Sequence, residues 1–240
     1  TGGLAAKFDG LLLRETDAGA VFKASAEISA ADAAAVLGEW GVAAPAQISG
    51  RLFALGGQLR LDAASGDFEE GQLRLGPANA AAGAHWTLDG PRPRVSLRLA
   101  ARALDLDAWT AQRAAAAPGF ALVAAASAAE PAAPLALPLP KDVDVAFDLS
   151  AASVLWRGQA AQSVVAEGEV SRGDLVLNQV SAELPGAAQV RAFGFVGTAM
   201  RSLDLTVQAS AANLRGVLDW LGADVSGVPS DRLRRAGLAA

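Results

Sequence analysis

The chain has 240 residues, enough to bury a sizeable core as one large β domain or as two ordinary ones. Hydrophobic residues make up 52% of it, much of that Ala, and 25 acids against 20 bases leave a net charge of −5 without the basic footprint that nucleic acid requires. There is no Cys, which excludes disulfides, thiolate metal sites and cysteine nucleophiles, and no apolar run of the roughly eighteen residues a membrane helix needs.

In chain order, the first periodic element is a short helix. After Asp32, an N-cap residue, Ala33, Val36, Leu37 and Trp40 fall at helical spacing and Gly41 stops the run. Period-2 alternation then takes over, in Leu59-Arg60-Leu61-Asp62, in Leu73-Arg74-Leu75 and in Val95-Ser96-Leu97-Arg98-Leu99. Each reads as a strand with one apolar and one wet face, as in an antiparallel sheet. Turns are expected at Ala64-Ser65-Gly66-Asp67, at Leu88-Asp89-Gly90-Pro91 and later at Ser171-Arg172-Gly173-Asp174.

Residues 114–142 are rich in Ala and Pro, a composition that resists both helix and central strand and reads as a linker. Alternation resumes at Val143–Ser150. The run Asp174–Leu184 changes parity midway, at Asn178-Gln179, which predicts a bulge or sharp bend. Leu203–Gln208 is another strand. After the N-cap residue Asn213 a second helix carries Leu214, Val217, Leu218 and Leu221, and Gly222 ends it.

The two helical segments match without gaps. Ser29-Ala30-Ala31-Asp32 aligns with Ser210-Ala211-Ala212-Asn213, and Val36, Leu37 and Gly41 align with Val217, Leu218 and Gly222. A third, weaker copy lies at Leu104–Trp109. The chain therefore reads as two β-meander and helix units, 1–113 and 143–240, joined by the 114–142 linker.

Catalytic signals are thin. The single histidine, His85, lies on an expected strand with no Gly-x-Ser-x-Gly elbow anywhere to supply a nucleophile. The acids lack calcium-loop spacing, and Asp105-x-Asp107 reads as a helix cap. No phosphate-binding loop is present, and the five Trp, spread through both units, read as core. The expectation is a protein without catalysis, cofactor or metal.

One ordered set of motifs goes further. Trp156-Arg157-Gly158, Leu184-Pro185-Gly186 and Leu218-Asp219-Trp220-Leu221-Gly222, in that order among strands, resemble the AsmA family of Gram-negative envelope proteins. The resemblance implies a periplasmic segment of a protein anchored in the inner membrane, linked to outer-membrane assembly and phospholipid transport. It implies a curled, antiparallel β-sheet groove with an apolar inner face. Phospholipid is then the expected partner, alongside other envelope proteins, and the anchor is expected outside this sequence. The candidate lipid-facing residues are Val145, Phe147, Leu205 and Val207. The alternation alone equally allows a closed β-sandwich acting as a structural spacer or protein-interaction module.

Overall fold

A computed structural model describes residues 3–15, 19–39, 48–110, 139–197, 202–223 and 236–239. The strands form one twelve-stranded sheet in which every strand sits beside its neighbours in sequence. They are β1 (Leu4–Glu15), β2 (Gly19–Ala30), β3 (Phe53–Leu61), β4 (Ser65–Leu75), β5 (Ala78–Thr87) and β6 (Arg94–Asp105), followed by β7 (Asp144–Trp156), β8 (Gln159–Ser171), β9 (Asp174–Leu184), β10 (Ala188–Gly197), β11 (Ser202–Ala211) and β12 (Ala236–Ala239). All pairings are antiparallel except β6 with β7, which run parallel from Arg94↔Asp144 to Asp105↔Leu155. The sheet does not close into a barrel. The mainly β, antiparallel class with few short helices, expected from the alternation, is what the chain adopts, and the open single sheet is the arrangement that the resemblance implies; most of the expected linker lies outside the described residues.

Cross-strand register explains why one face is apolar. The row Ile28, Leu55, Leu73, Ala80, Ala101, Ala151, Val164 runs across seven strands, each residue opposite the next. Three bulges interrupt the ladder, in β4, β8 and β9; the one in β8 falls at Ser163-Val164, where Ser163 has a φ of 52°. In β9 the register shifts at Asn178-Gln179, so that Leu177 and Val180 both stay on the apolar side, as the parity change in the sequence predicts. In β4 the shift falls at Glu69-Glu70, where Glu70 has a φ of 51°, and it returns Leu73 and Leu75 to the face of Phe68. The same signal, Phe68 out of phase with Leu73, is present in the sequence.

Turns are built from the residue types that tolerate them. The two-residue connections Arg157-Gly158 and Arg172-Gly173 place both central residues at positive φ, the geometry that suits a tight hairpin. The β3–β4 turn falls slightly earlier than expected, at Asp62–Ala64. Asp62 Oδ1 accepts the Ala64 and Ser65 backbone N–H groups at 2.8 and 2.6 Å, and Oδ2 accepts the Ser65 hydroxyl at 2.6 Å. The Ser65 hydroxyl and then these N–H groups hold the Asp62 carboxyl below its ordinary range.

Among the described residues three helices, α1 (Ala33–Glu39), α2 (Leu106–Thr110) and α3 (Leu214–Leu221), follow β2, β6 and β11. Each has the cap its sequence offers. Asp32 Oδ1 accepts the Ala34 N–H at 2.9 Å, Asp105 Oδ1 the Ala108 N–H at 2.8 Å, and Asn213 Oδ1 the Gly216 N–H at 3.1 Å. Gly222 closes α3 in the left-handed conformation at φ 81°.

All three helices stand at the same end of the sheet, linked in a line. Arg51 Nη2, just before β3, donates to the Ala108 carbonyl of α2 at 3.2 Å. Asp107 of α2 accepts the N–H groups of Arg157 and Gly158, at 2.6 and 2.7 Å, and so pins the β7–β8 turn. Arg157 Nη1 reaches the Trp220 carbonyl of α3 at 3.3 Å, with its guanidinium 4.7 Å from the centre of the Trp156 ring. The Trp156 and Trp220 rings meet edge to face at 5.1 Å, and Trp220 Nε1 donates to the Trp156 carbonyl. The buried side of α3 is Val217 and Trp220, while Leu218 is only half-buried. Trp40, the Leu37 side chain and the Trp109 side chain fall outside the described residues.

Trp220→Ala removes a ring that is 7% exposed and is expected to cost about 3–5 kcal/mol, more than Leu218→Ala, as read by denaturant unfolding. The lowered Asp62 titration adds stability that is complete above the ordinary carboxylate range and is lost as the pH falls through the lowered value. The stability difference between the chain and Asp62→Ala should therefore shrink when melts at neutral pH are repeated in acid.

Candidate functional site

The apolar face contains the four residues singled out in the sequence. Phe147 and Leu205 occupy one row: Leu59, Phe68, Ala84, Leu97, Phe147, Gly168, Leu177, Gly194, Leu205. Val145 lies in the adjoining row, between Val95 and Val170. Val207 belongs to the row of Leu149, through Ala166, Val180 and Ala192. All four thus share a face, but in two places. Val145 and Phe147 are mid-sheet and half-buried. Leu205 and Val207 lie near the far end of the strand order, where β12 pairs with Gln208–Ala211 among the described residues.

Among the described residues little covers this face. Leu97 and Leu149, in the middle of the sheet, are 40% and 37% exposed. Side chains buried among the described residues gather largely at the helical end, such as Ala30, Ala33, Val36, Ala188, Val217 and Trp220. Beside that end, where β4 to β8 meet the start of α2, lies a trough of about 390 Å³ whose lining is Leu, Val and Ala except for Ser150.

Glycines explain how the floor stays low. A Cβ on Gly168 would lie 2.6 Å from Phe147 Cζ, and one on Gly57 would lie 2.6 Å from Phe68 Cζ. Trp86 lies over Gly66 in the same way. Each ring therefore lies across a neighbouring strand's backbone, covering its ladder instead of standing up to meet a second layer.

The opposite face carries charged rows, together with exposed Leu11, Val176 and Phe193. Asp67, His85 and Ser96 stand opposite one another on β4, β5 and β6, and His85 Nδ1 lies 2.6 Å from Asp67 Oδ1. These are the residue types of a hydrolytic triad without its setting. Ser96 makes no hydrogen bond among the described residues, it sits near the start of β6, away from the described helix N-termini, and the His85 side chain is 51% exposed. The next row pairs Arg98 Nε with Asp148 Oδ2 at 3.2 Å, both solvated. Among the described residues no three His, Asp or Glu side chains gather as a metal set, and no helix is long and apolar enough to cross a membrane.

No family model, curated protein or solved structure matches the chain. His85→Ala is expected to leave the far-ultraviolet spectrum and any phospholipid retained by the purified protein unchanged, and the wild type is expected not to hydrolyse activated esters. Ester hydrolysis abolished by His85→Ala or Ser96→Ala would instead make the polar row an active site.

Proposed function

We propose that the chain is a non-catalytic, lipid-binding segment of an AsmA-like protein of the periplasm, whose parent is anchored in the inner membrane and contributes to outer-membrane assembly or phospholipid transport. The observation that carries this reading is the open apolar face: Leu97 and Leu149 remain exposed at its centre, beside a trough lined by aliphatic side chains. An apolar sheet face needs a helix layer, another sheet or a ligand over it. Acyl chains suit it chemically, because they gain roughly 25 cal/mol per Å² of apolar area removed from water and ask for no directional partner. Strands of ten to thirteen residues, such as β7 and β10, span roughly 33–43 Å at about 3.3 Å per residue, enough for an acyl chain to lie along or across them. The order of the Trp156-Arg157-Gly158, Leu184-Pro185-Gly186 and Leu218–Gly222 motifs supports the family assignment.

The competing function is a structural spacer or protein-interaction module that carries no lipid. Mass spectrometry of an organic extract of the purified protein separates the two: retained phospholipid is expected, and a lipid-free extract from well-folded protein would favour the spacer. Phe147→Asp and Val207→Asp put a carboxylate on the apolar face. On an open face it keeps water and the protein stays folded, whereas a closed interior would unfold or force protonation. Both variants are expected to fold and to lose bound phospholipid, while Ser96→Asp on the polar face retains it.

A further inference from the structure

The parallel junction dictates where the chain between β6 and β7 has to pass. β6 ends at the helical end of the sheet, and β7 starts at the other end, where the Asp144 N–H donates to the Pro93 carbonyl at 3.0 Å. The 12 residues of β6 span about 40 Å, and the connection must return over that length.

Chirality selects the side. Leu75 lines the apolar trough and closes the two-residue Gly76-Pro77 hairpin, so its carbonyl is turned toward β5. In a strand of L-residues running upward, a residue whose side chain faces the viewer turns its N–H and C=O to the right. Seen from the apolar side with β4 and β6 upward, β5 therefore lies to the right of β4. The unbroken strand order then puts β7 to the right of β6. Connections between parallel strands of one sheet are right-handed in about 98% of cases, and here the right-handed path runs over the apolar side. The start of α2 already takes that side, since Leu104 and Leu106 line the trough with Leu99 and Leu149.

We propose that the apolar face along β6 and β7 is a docking surface for the chain's own connection, residues 111–138. The composition of that stretch matches the face. Its only charges are Arg113 and Glu130, and it carries Phe120, Leu122, Val123, Leu135 and Leu137. These are the side chains to meet Leu97 and Leu149, which are 40% and 37% exposed at the centre of the face. The length suffices as well, because 28 residues reach roughly 90 Å when extended. Pro118, Pro131, Pro134 and Pro138 have no N–H to give to a ladder, so the contact is made by side chains and not by an added strand. The docking is intramolecular and stands independently of whether the face also carries lipid. A lipid on the same strands would have to displace it.

Trypsin cuts after Arg113 and Lys141 and at no residue between them, so residues 114–141 leave as one peptide. A benzophenone amino acid placed at Leu97 or at Leu149 is expected to join that peptide, within a single chain, on irradiation. One placed at Ser96, on the opposite face, is expected not to. Replacing Phe120, Leu122, Val123, Leu135 and Leu137 together by Ser is expected to abolish the adduct and to raise the binding of an apolar fluorescent dye several-fold. An adduct from Ser96 in place of Leu97 and Leu149 would overturn the proposal, and so would unchanged dye binding by the Ser variant. The absence of any adduct between the peptide and Leu97 or Leu149 would overturn it as well. Phospholipid labelled at those two positions in that case would leave the lipid-binding reading standing.

Discussion

The structure depends on one constraint, that every apolar row must stay on the same face across many consecutive strands. In an extended chain that face is set by odd or even position alone, so a single uncompensated residue would turn half of a strand's leucines to water. The bulges at Glu69-Glu70 and Asn178-Gln179 absorb such residues where they occur. The left-handed Glu70 takes up the extra step in β4. In β9 the extra residues are Asn178 and Gln179, both polar. The result is a single sheet whose apolar rows run along one side, while the other side mixes charged residues with exposed Leu11, Val176 and Phe193.

A sheet of this kind has little interior of its own. Its buried side chains are mostly Ala and Val at the end where the helices dock. The rest of the apolar face is floored by aromatic rings laid over glycines on adjacent strands. Those glycines weaken the strands locally by leaving no side chain to pack, and the rings restore part of that loss while keeping the surface low. The hydrogen-bonded line from Arg51 through Ala108, Asp107 and Arg157 to Trp220 then ties distant strands together where packing is densest. Rigidity comes from the backbone ladder and this line, which leaves the remaining face free to meet something else.

Much of this is legible in the sequence, and the rest is hidden for identifiable reasons. The strand faces, the Asn178-Gln179 bulge, the Arg172-Gly173 turn and the caps Asp32, Asp105 and Asn213 are local signals, readable from parity or from one side chain beside a helix start. The Glu69-Glu70 bulge carries the same parity signal, Phe68 being out of phase with Leu73. Trp220 is harder to read. Its helical spacing does not separate it from Leu218 and Leu221, and only the presence of Trp156 across the helix end decides which side is buried. The clamp of Asp107 on the β7–β8 turn is non-local, fifty residues apart in sequence, and nothing in either segment announces it. Groove and sandwich give the same alternation, because period 2 records which side of a strand is apolar and not what lies over it.

The parallel pairing of β6 with β7 is the least legible feature and it organises the others. In a meander of purely antiparallel neighbours, an even-numbered and an odd-numbered strand run in opposite directions. β2 and β6 would then deliver α1 and α2 to one end of the sheet, and β11 would deliver α3 to the other. One parallel junction between β6 and β7 reverses the second half, so β11 runs with β2 and β6. The matching helix starts at Asp32 and Asn213 come to the same end for this reason. Only then can Asp107 of α2 hold the β7–β8 turn while Arg157 of that turn reaches α3. It also gives the second meander the same apolar face as the first, since Val95, Leu97 and Leu99 stand level with Val145, Phe147 and Leu149. The junction thus joins strands β1–β6 and β7–β12 into one continuous surface with the described helices along a single rim.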